Sequence, residues 1–179
     1  YGLGYNRAAI FLLDEKKVNL VGAGAIGHLE KDTAAYGWDR DAQAGLDDFG
    51  TYLMALADGQ LLPTPLELLI AQVRIPLRQA DVCPLSDVVR KQRPFTGTFH
   101  SLALLPKELI DVFQPGDPLK IVPLINAGTP FGILLVDNKF TQSPITNEET
   151  EMLMTYATTA ASTIAQTHRL AVVEKSLDS

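Results

Sequence analysis

Residues 120–136 read KIVPLINAGTPFGILLV, and they carry the clearest structural signal in the sequence. Two apolar runs, at 120–125 and 131–136, flank a short link at 126–129 that contains Asn and Gly. Two β-rich runs separated by a link of this composition predict a β-hairpin. Because both runs are apolar almost throughout and do not alternate with polar residues, we expect the sheet to be covered on both faces.

A long helix is predicted after the hairpin. Thr146 and Glu149 form a capping-box pattern, in which each side chain satisfies a backbone donor that the helix start leaves free. The helix is expected to run from Asn147 to Leu177. One of its faces carries four apolar residues, namely Leu153, Ala157, Ala160 and Ile164.

The rest of the chain alternates short apolar runs with helical patterns. Further strands are predicted at 8–13, 18–21, 73–77 and 95–99, and helices at 46–57, 65–70, 86–93 and 106–113. Ser86 is the expected N-cap of the third of these helices, and Pro106 is the expected start of the fourth. This order of elements predicts an α+β fold built on an antiparallel sheet.

Composition and charge limit the possible functions. The chain has 179 residues, which suits one domain, and its 46% hydrophobic and 20% charged content is ordinary for a globular protein. The net charge of −6 argues against nucleic acid or an anionic membrane surface as a direct partner. The single cysteine, Cys83, excludes an intramolecular disulfide and fits a reducing cytoplasm. Since the chain starts at Tyr1 without Met, we expect it to be a piece of a longer protein.

Residues 22–27, GAGAIG, match the G-x-G-x-x-G pattern of dinucleotide-binding folds. In those folds the glycines follow a first parallel strand and open a helix whose N-terminus receives the pyrophosphate. Here a predicted hairpin precedes the glycines, and the next predicted strand after them begins only at residue 73 and ends at 77. We therefore interpret the glycines as the exit turn of the second strand. The alternative is a fragment of an NAD(P)-dependent oxidoreductase, which would require a parallel Rossmann sheet.

The hairpin, the PITNEE link at 144–149 and the long helix together resemble a GAF domain. The resemblance implies a profilin-like fold with a central antiparallel sheet of about five or six strands, helices on both faces and a long C-terminal helix. It also implies one domain over 1–179, with a helical insertion at 29–71 between the second and third strands and the start of a signalling helix at 165–179. The insertion is expected to pack on the domain as a lid through an apolar face made of Leu46, Phe49, Leu53, Leu56 and Ala57.

The resemblance implies a regulatory sensor and not an enzyme. The expected parent is a cytoplasmic signalling protein, such as a sensor histidine kinase of a two-component system, a cyclase or a transcriptional activator. A small ligand would bind between the sheet and the segments from 74 to 100, where polar groups occur in an otherwise apolar region. The candidate ligand contacts are Arg74, Thr96, Thr98, Phe99 and His100. The alternative function is a module that dimerises and transmits a signal without any ligand.

The identity of the ligand stays open, and we expect no bilin, haem or NAD. Bilin-linking cysteines of photosensory GAF domains are typically followed by His, whereas Pro84 follows Cys83 here. GAF-like enzymes that reduce free methionine sulfoxide use several cysteines, and one cysteine cannot resolve such a cycle. Asn138 and Lys139 partly match a pattern of cyclic-nucleotide-binding GAF domains. The competing interpretation is that Asp137 and Asn138 close the strand end through hydrogen bonds to the backbone. The histidines offer no spacing that suits a metal ion.

The end of the long helix carries a second apolar set, made of Leu170, Val173 and Leu177. Their spacing is that of a coiled coil. The predicted helix is about 46 Å long, which exceeds the diameter of about 40 Å of a compact domain of this size. We therefore expect a homodimer through a parallel partner helix, and a covalently attached output domain after it. The alternative is that these residues fold back onto a helix that precedes this chain.

Overall fold

The computed structural model describes the backbone of residues 4–31, 63–77 and 83–177, together with their side chains apart from Phe99 and residues 167–177. Most of the predicted insertion, including its helix with Phe49, lies outside the described residues. Within the described ranges, no helix is both long and apolar enough to cross a membrane.

Six strands form one antiparallel sheet in this part of the chain. They are β1 Arg7–Leu13, β2 Asn19–Ile26, β3 Arg74–Pro76, β4 Phe95–Gly97, β5 Leu119–Asn126 and β6 Thr129–Asp137. Their order is β3-β2-β1-β6-β5-β4, and every neighbouring pair is antiparallel. The predicted α+β class is therefore confirmed. The NAD(P)-dependent alternative loses its basis, because β2, which carries the glycines, has antiparallel neighbours on both sides.

Five helices accompany the sheet over the described residues. They are α1 Pro65–Ile70, α2 Pro84–Lys91, α3 Phe99–Leu102, α4 Lys107–Phe113 and α5 Asn147–Leu177. The predicted capping box at the start of α5 is confirmed. The Glu149 backbone N–H donates to Thr146 Oγ1 at 3.1 Å, and the Thr146 N–H donates to Glu149 Oε2 at 2.7 Å.

The predicted start of α2 was wrong. Ser86 was expected to cap this helix, but the helix begins at Pro84 and Cys83 is the residue before it. Proline at the first helical position has its φ already set for a helix, and this preference overrides the capping tendency of Ser86. Ser86 therefore lies inside the helix, where its buried Oγ has no hydrogen-bond partner.

The interpretation of the glycines needs correction as well. Gly22 and Gly24 lie inside β2 instead of in an exit turn, and only Gly27, with a φ of +112°, follows the strand. The reason is a close contact with α1. A Cβ atom on Gly22 would lie 1.8 Å from the Ile70 carbonyl oxygen, so the end of α1 reaches the strand only because this residue is glycine.

Apolar side chains cover both faces of the sheet, as predicted. On one face, α1, α2 and α4 enclose a core that includes Phe11 and Phe113. On the other face, α5 packs through a row of buried residues, made of Leu153, Ala157, Ala161 and Ala165. The sequence predicted the first two of these correctly. It placed Ala160 and Ile164 on this row, but they are only partly buried, because the contact follows a strict four-residue spacing along the helix.

The hairpin between β5 and β6 has a tighter turn than predicted. Asn126 and Thr129 are the last paired residues, so the turn consists of Ala127 and Gly128 alone. Both have positive φ, +48° and +76°. Two positive values characterise a type I′ turn, whose twist matches that of the flanking strands. Alanine tolerates this conformation poorly because its Cβ approaches the following carbonyl oxygen.

Replacing Ala127 with Asn should stabilise the domain by about 1 kcal/mol, because Asn adopts the left-handed conformation more readily. Urea denaturation would measure this gain in unfolding free energy. Ala103→Asn is the matched control, since Ala103 has a φ of −65° and offers no strain to relieve. An equal effect of the two substitutions would contradict the explanation.

Candidate functional site

The predicted ligand contacts fall into two separate places. Thr96 lies on β4, and Thr98, Phe99 and His100 follow it into α3. Arg74 lies on β3, at the opposite edge of the sheet. At the usual spacing between neighbouring strands, the two edge strands are about 24 Å apart in the order of the sheet. The structure therefore groups four of the candidates and leaves Arg74 apart, and ligand binding by any of them stays a prediction.

Several of these polar groups have local structural partners. The exposed Arg74 guanidinium pairs with Asp14 at 2.9 Å. The pKa of Asp14 is lowered, chiefly by its hydrogen bond from the Asn19 side chain and least by Arg74. The Thr98 N–H donates to Ser101 Oγ at 2.7 Å, which fastens the first turn of α3. These contacts explain why polar residues occur here without requiring a ligand.

Lys120 is the buried partner of Thr96. It lies on β5 with 5% of its surface exposed, and its ammonium group donates to Thr96 Oγ1 at 2.7 Å. No carboxylate pairs with it within the described ranges. Burial lowers the pKa of Lys120 from its usual 10.5, because the charged form is taken out of water. Its charge therefore costs stability at neutral pH.

Lys120→Met should raise the unfolding free energy by about 1 kcal/mol at neutral pH, because the buried charge disappears and its volume stays filled. The gain should shrink as the pH approaches 10.5, since the folded wild-type protein then loses this proton before the unfolded chain does. Urea denaturation at pH 7 and pH 10 measures both effects. Lys91→Met, at an exposed position, should show no comparable gain. A loss of stability in Lys120→Met would contradict the explanation.

A second polar cluster lies where β1 begins and β6 ends, and the sequence analysis named Asp137 in it but missed Arg7. The side chains of Arg7 and Asp137 are fully buried. Arg7 Nε donates to Asp137 Oδ1 at 3.0 Å, and Arg7 Nη2 bonds the other carboxylate oxygen. The guanidinium also donates to the carbonyl oxygens of Phe113, at 2.8 Å, and Gln114, at 3.1 Å. It lies 4.2 Å from the ring centroid of Phe113 and 5.7 Å from that of Phe140.

Two asparagines complete this cluster. Asn6 Oδ1 accepts hydrogen bonds from the backbone N–H groups of Phe140, at 2.8 Å, and Thr141, at 2.9 Å. Asn138 Oδ1 accepts from the Asn6 N–H at 3.1 Å, and Asn138 Nδ2 donates to the Ser143 carbonyl at 2.9 Å. The interpretation that Asn138 closes the strand end is confirmed, and its amide is used within the domain.

The Arg7–Asp137 pair should be essential for stability. Arg7→Met leaves the Asp137 carboxylate buried without its cation, and we expect the unfolding free energy to fall by about 3–5 kcal/mol. The control is Arg90→Met, which removes an ion pair whose arginine is 65% exposed and should cost no more than about 1 kcal/mol. Urea denaturation at pH 7 compares the two. Similar losses in both variants would show that the buried pair has no special weight.

A depression of about 540 Å³ lies beside this cluster. It is lined by Leu29, Glu30, Lys31, Gln114, Lys139, Phe140 and Gln142. None of the five predicted ligand contacts belongs to it. The described part of the chain contains no group of three or more His, Cys, Asp or Glu side chains that could hold a metal ion.

The comparisons with known proteins agree on the fold. No family model matches the chain, and no curated protein matches it. A GAF domain/HD domain protein from Geobacter sulfurreducens matches with a TM-score of 0.58 and 14% identity over 92% of this chain and 83% of that one. A methyl-accepting chemotaxis protein, residues 122 to 287, matches with a TM-score of 0.57 and 17% identity over 94% and 82%.

An enzyme has a similar structure too. A type II free methionine-R-sulfoxide reductase from Thermoplasma acidophilum matches with a TM-score of 0.50 and 15% identity over 88% of this chain and 77% of that one. At these identities the likeness concerns the fold alone. The chain has the GAF fold, which is found in sensory and signalling proteins, as the resemblance in sequence implied.

Proposed function

We propose that this domain is the regulatory sensor module of a larger signalling protein, which binds a small molecule and transmits the signal through α5. The observation that carries the proposal is the length of this helix. Its 31 residues extend over about 46 Å, whereas the eight-residue strand β5 on which it packs extends over only about 27 Å. A helix that exceeds its sheet suits the transfer of a structural change to an attached domain.

The packing of α5 supports such a role. The buried row from Leu153 to Ala165 is made mostly of alanines, which allow the helix axis to approach the sheet closely. Close packing without large interlocking side chains favours small sliding movements of a helix over a sheet. We infer that the attached output domain belongs to a cytoplasmic protein, such as a sensor histidine kinase, a cyclase or a transcriptional activator.

A catalytic role is less well supported. The reductase with a similar fold raises the question of methionine sulfoxide reduction. Cys83 is the single cysteine of the chain. An intramolecular disulfide, which would return such an enzyme to its starting state, cannot form with one cysteine. We therefore propose a regulatory function.

The second candidate is a module that dimerises without a ligand. It is favoured by the filling of the sheet face where the ligand was expected. Side chains between that face and its covering helices are fully buried, including Leu109 and Phe113 on α4 and Leu119 and Ile121 on β5. Both candidate functions include dimerisation through Leu170, Val173 and Leu177. The backbone of α5 continues through these residues, and their side chains lie outside the described part of the structure.

Native mass spectrometry tests the two candidates together, because it reports the oligomeric state and any bound small molecule. We expect a homodimer for the wild-type chain and a monomer for Leu170→Glu/Val173→Glu, since two buried carboxylates would disrupt an apolar helix pair. Thr155→Glu, at an exposed position on α5, should remain dimeric. A ligand would appear as an extra mass that is lost on denaturation.

The possible results of this measurement distinguish the two candidate functions. A dimer without extra mass favours the ligand-free module. A wild-type chain that stays monomeric at high micromolar concentration would show that this chain does not dimerise by itself.

A further inference from the structure

The depression beside the Arg7–Asp137 pair has a charge opposite to that of the chain. Among the described residues, two lysines and one glutamate line it, namely Lys31, Lys139 and Glu30, so these residues carry a formal charge of +1 in a chain whose net charge is −6. Its volume of about 540 Å³ lies within the range of small-molecule sites. Leu29 and Phe140 add an apolar wall. This local excess of positive charge suits a negatively charged small molecule.

Lys139 is the cation best placed to receive a ligand. It is half-buried, and its ammonium group donates a long hydrogen bond to Gln114 Oε1 at 3.4 Å. No ion pair joins it to a carboxylate in the part of the chain that is described. Burial lowers the pKa of Lys139, and Arg7 lowers it further, while Asp137 acts in the opposite direction. Because Asp137 is held by Arg7, an entering anion would give Lys139 a charge partner of its own.

Two glutamines of the lining have an unusual backbone. Gln114 and Gln142 have φ values of +46° and +55°, a region that glycine adopts without strain. Glycine would remove this backbone strain at both positions, yet both residues, which line the depression, carry an amide side chain. Strained residues that persist beside a cavity point to a use for their side chains. Amide groups donate hydrogen bonds to carboxylate and phosphate oxygens.

We propose that this depression binds a small organic anion, with Lys139 as its charge partner, Lys31 at the rim, and Gln114 and Gln142 as hydrogen-bond donors. The shared chemistry of the ligand is a carboxylate or phosphate group. The site lies away from the segment from 74 to 100, so it stands whether or not that segment binds a ligand.

Calorimetric titration with citrate and with glycerol 3-phosphate at low salt tests the site and separates the two anion types. At least one probe should bind saturably to the wild-type chain. Lys139→Gln should weaken that binding by at least about tenfold, because a charged hydrogen bond is lost. Lys139→Arg should retain most of it. Lys16→Gln is the control, because it removes the same charge at an exposed position in the β1–β2 turn.

The glutamines give an independent test with two readouts. Gln114→Gly and Gln142→Gly should raise the melting temperature, because strain is relieved, and should weaken anion binding. Gln92→Gly is the matched control, since Gln92 has a φ of +52° at the end of α2 and does not line the depression. It should raise the melting temperature and leave binding unchanged. The proposal is overturned if neither probe binds the wild-type chain, or if binding persists unchanged in Lys139→Gln and in both glycine variants at the depression.

Discussion

The buried ion pair between Arg7 and Asp137 is the interaction on which the rest of the domain depends. Placing a guanidinium and a carboxylate in the interior costs several kcal/mol per ion unless hydrogen bonds replace the lost water. Here the replacement is nearly complete, because Arg7 bonds both carboxylate oxygens and two carbonyl groups. Those carbonyls belong to Phe113 and Gln114 at the end of α4, where a helix leaves acceptors unsatisfied and favours a positive charge. The Arg7 side chain thus stabilises both the pairing of β1 with β6 and the C-terminal end of α4.

The position of this pair in the sheet gives it wide influence. Arg7 and Asp137 are direct partners in the ladder between β1 and β6, the two central strands. The backbone of two other segments passes very close to this part of the structure. A Cβ atom on Gly27 would lie 2.8 Å from Arg7 Cγ, and one on Gly116 would lie 2.4 Å from Lys139 Cα. Glycine at these two positions allows the chain after β2 and the chain after α4 to close over the pair.

Features that depend on neighbouring residues could be predicted from the sequence, whereas features that depend on residues distant in the chain could not. The hairpin at 120–136 and the capping box of Thr146 and Glu149 depend on neighbouring residues, and both were predicted correctly. The role of Gly22 depends on α1, which is distant in sequence, and the string of glycines suggested a turn instead. Arg7 was missed because arginine is rarely buried. A signal was present, since Arg7 and Asp137 are opposite charges at the ends of two apolar runs that pair in the sheet.

The same network explains how strained residues persist beside it. The Gln114 carbonyl accepts from Arg7, and the Gln142 N–H donates to the Asn138 carbonyl at 2.7 Å, so both backbones are fixed from outside. The network also adjoins α5. Tyr5, one residue before Asn6, packs against the core that contains Leu153, and its hydroxyl donates to the Glu149 carbonyl at 3.3 Å. Burial, with the Glu149 charge, raises the pKa of Tyr5 to about 12, which favours the protonated hydroxyl that donates this hydrogen bond.

The segment from Tyr5 to Arg7 therefore contacts the first turn of α5 on one side and the walls of the charged depression on the other. Arg7 lies against the ring of Phe140, which lines the depression, and its partner Asp137 directly precedes Asn138 and Lys139. An anion that shifts Lys139 or Gln114 would act on groups whose hydrogen bonds fix the start of β1. Packed side chains and hydrogen bonds of this kind are one physical route by which coupling between distant sites is carried. In this domain, such contacts join the depression to α5 through three consecutive residues, Tyr5 to Arg7, where β1 begins.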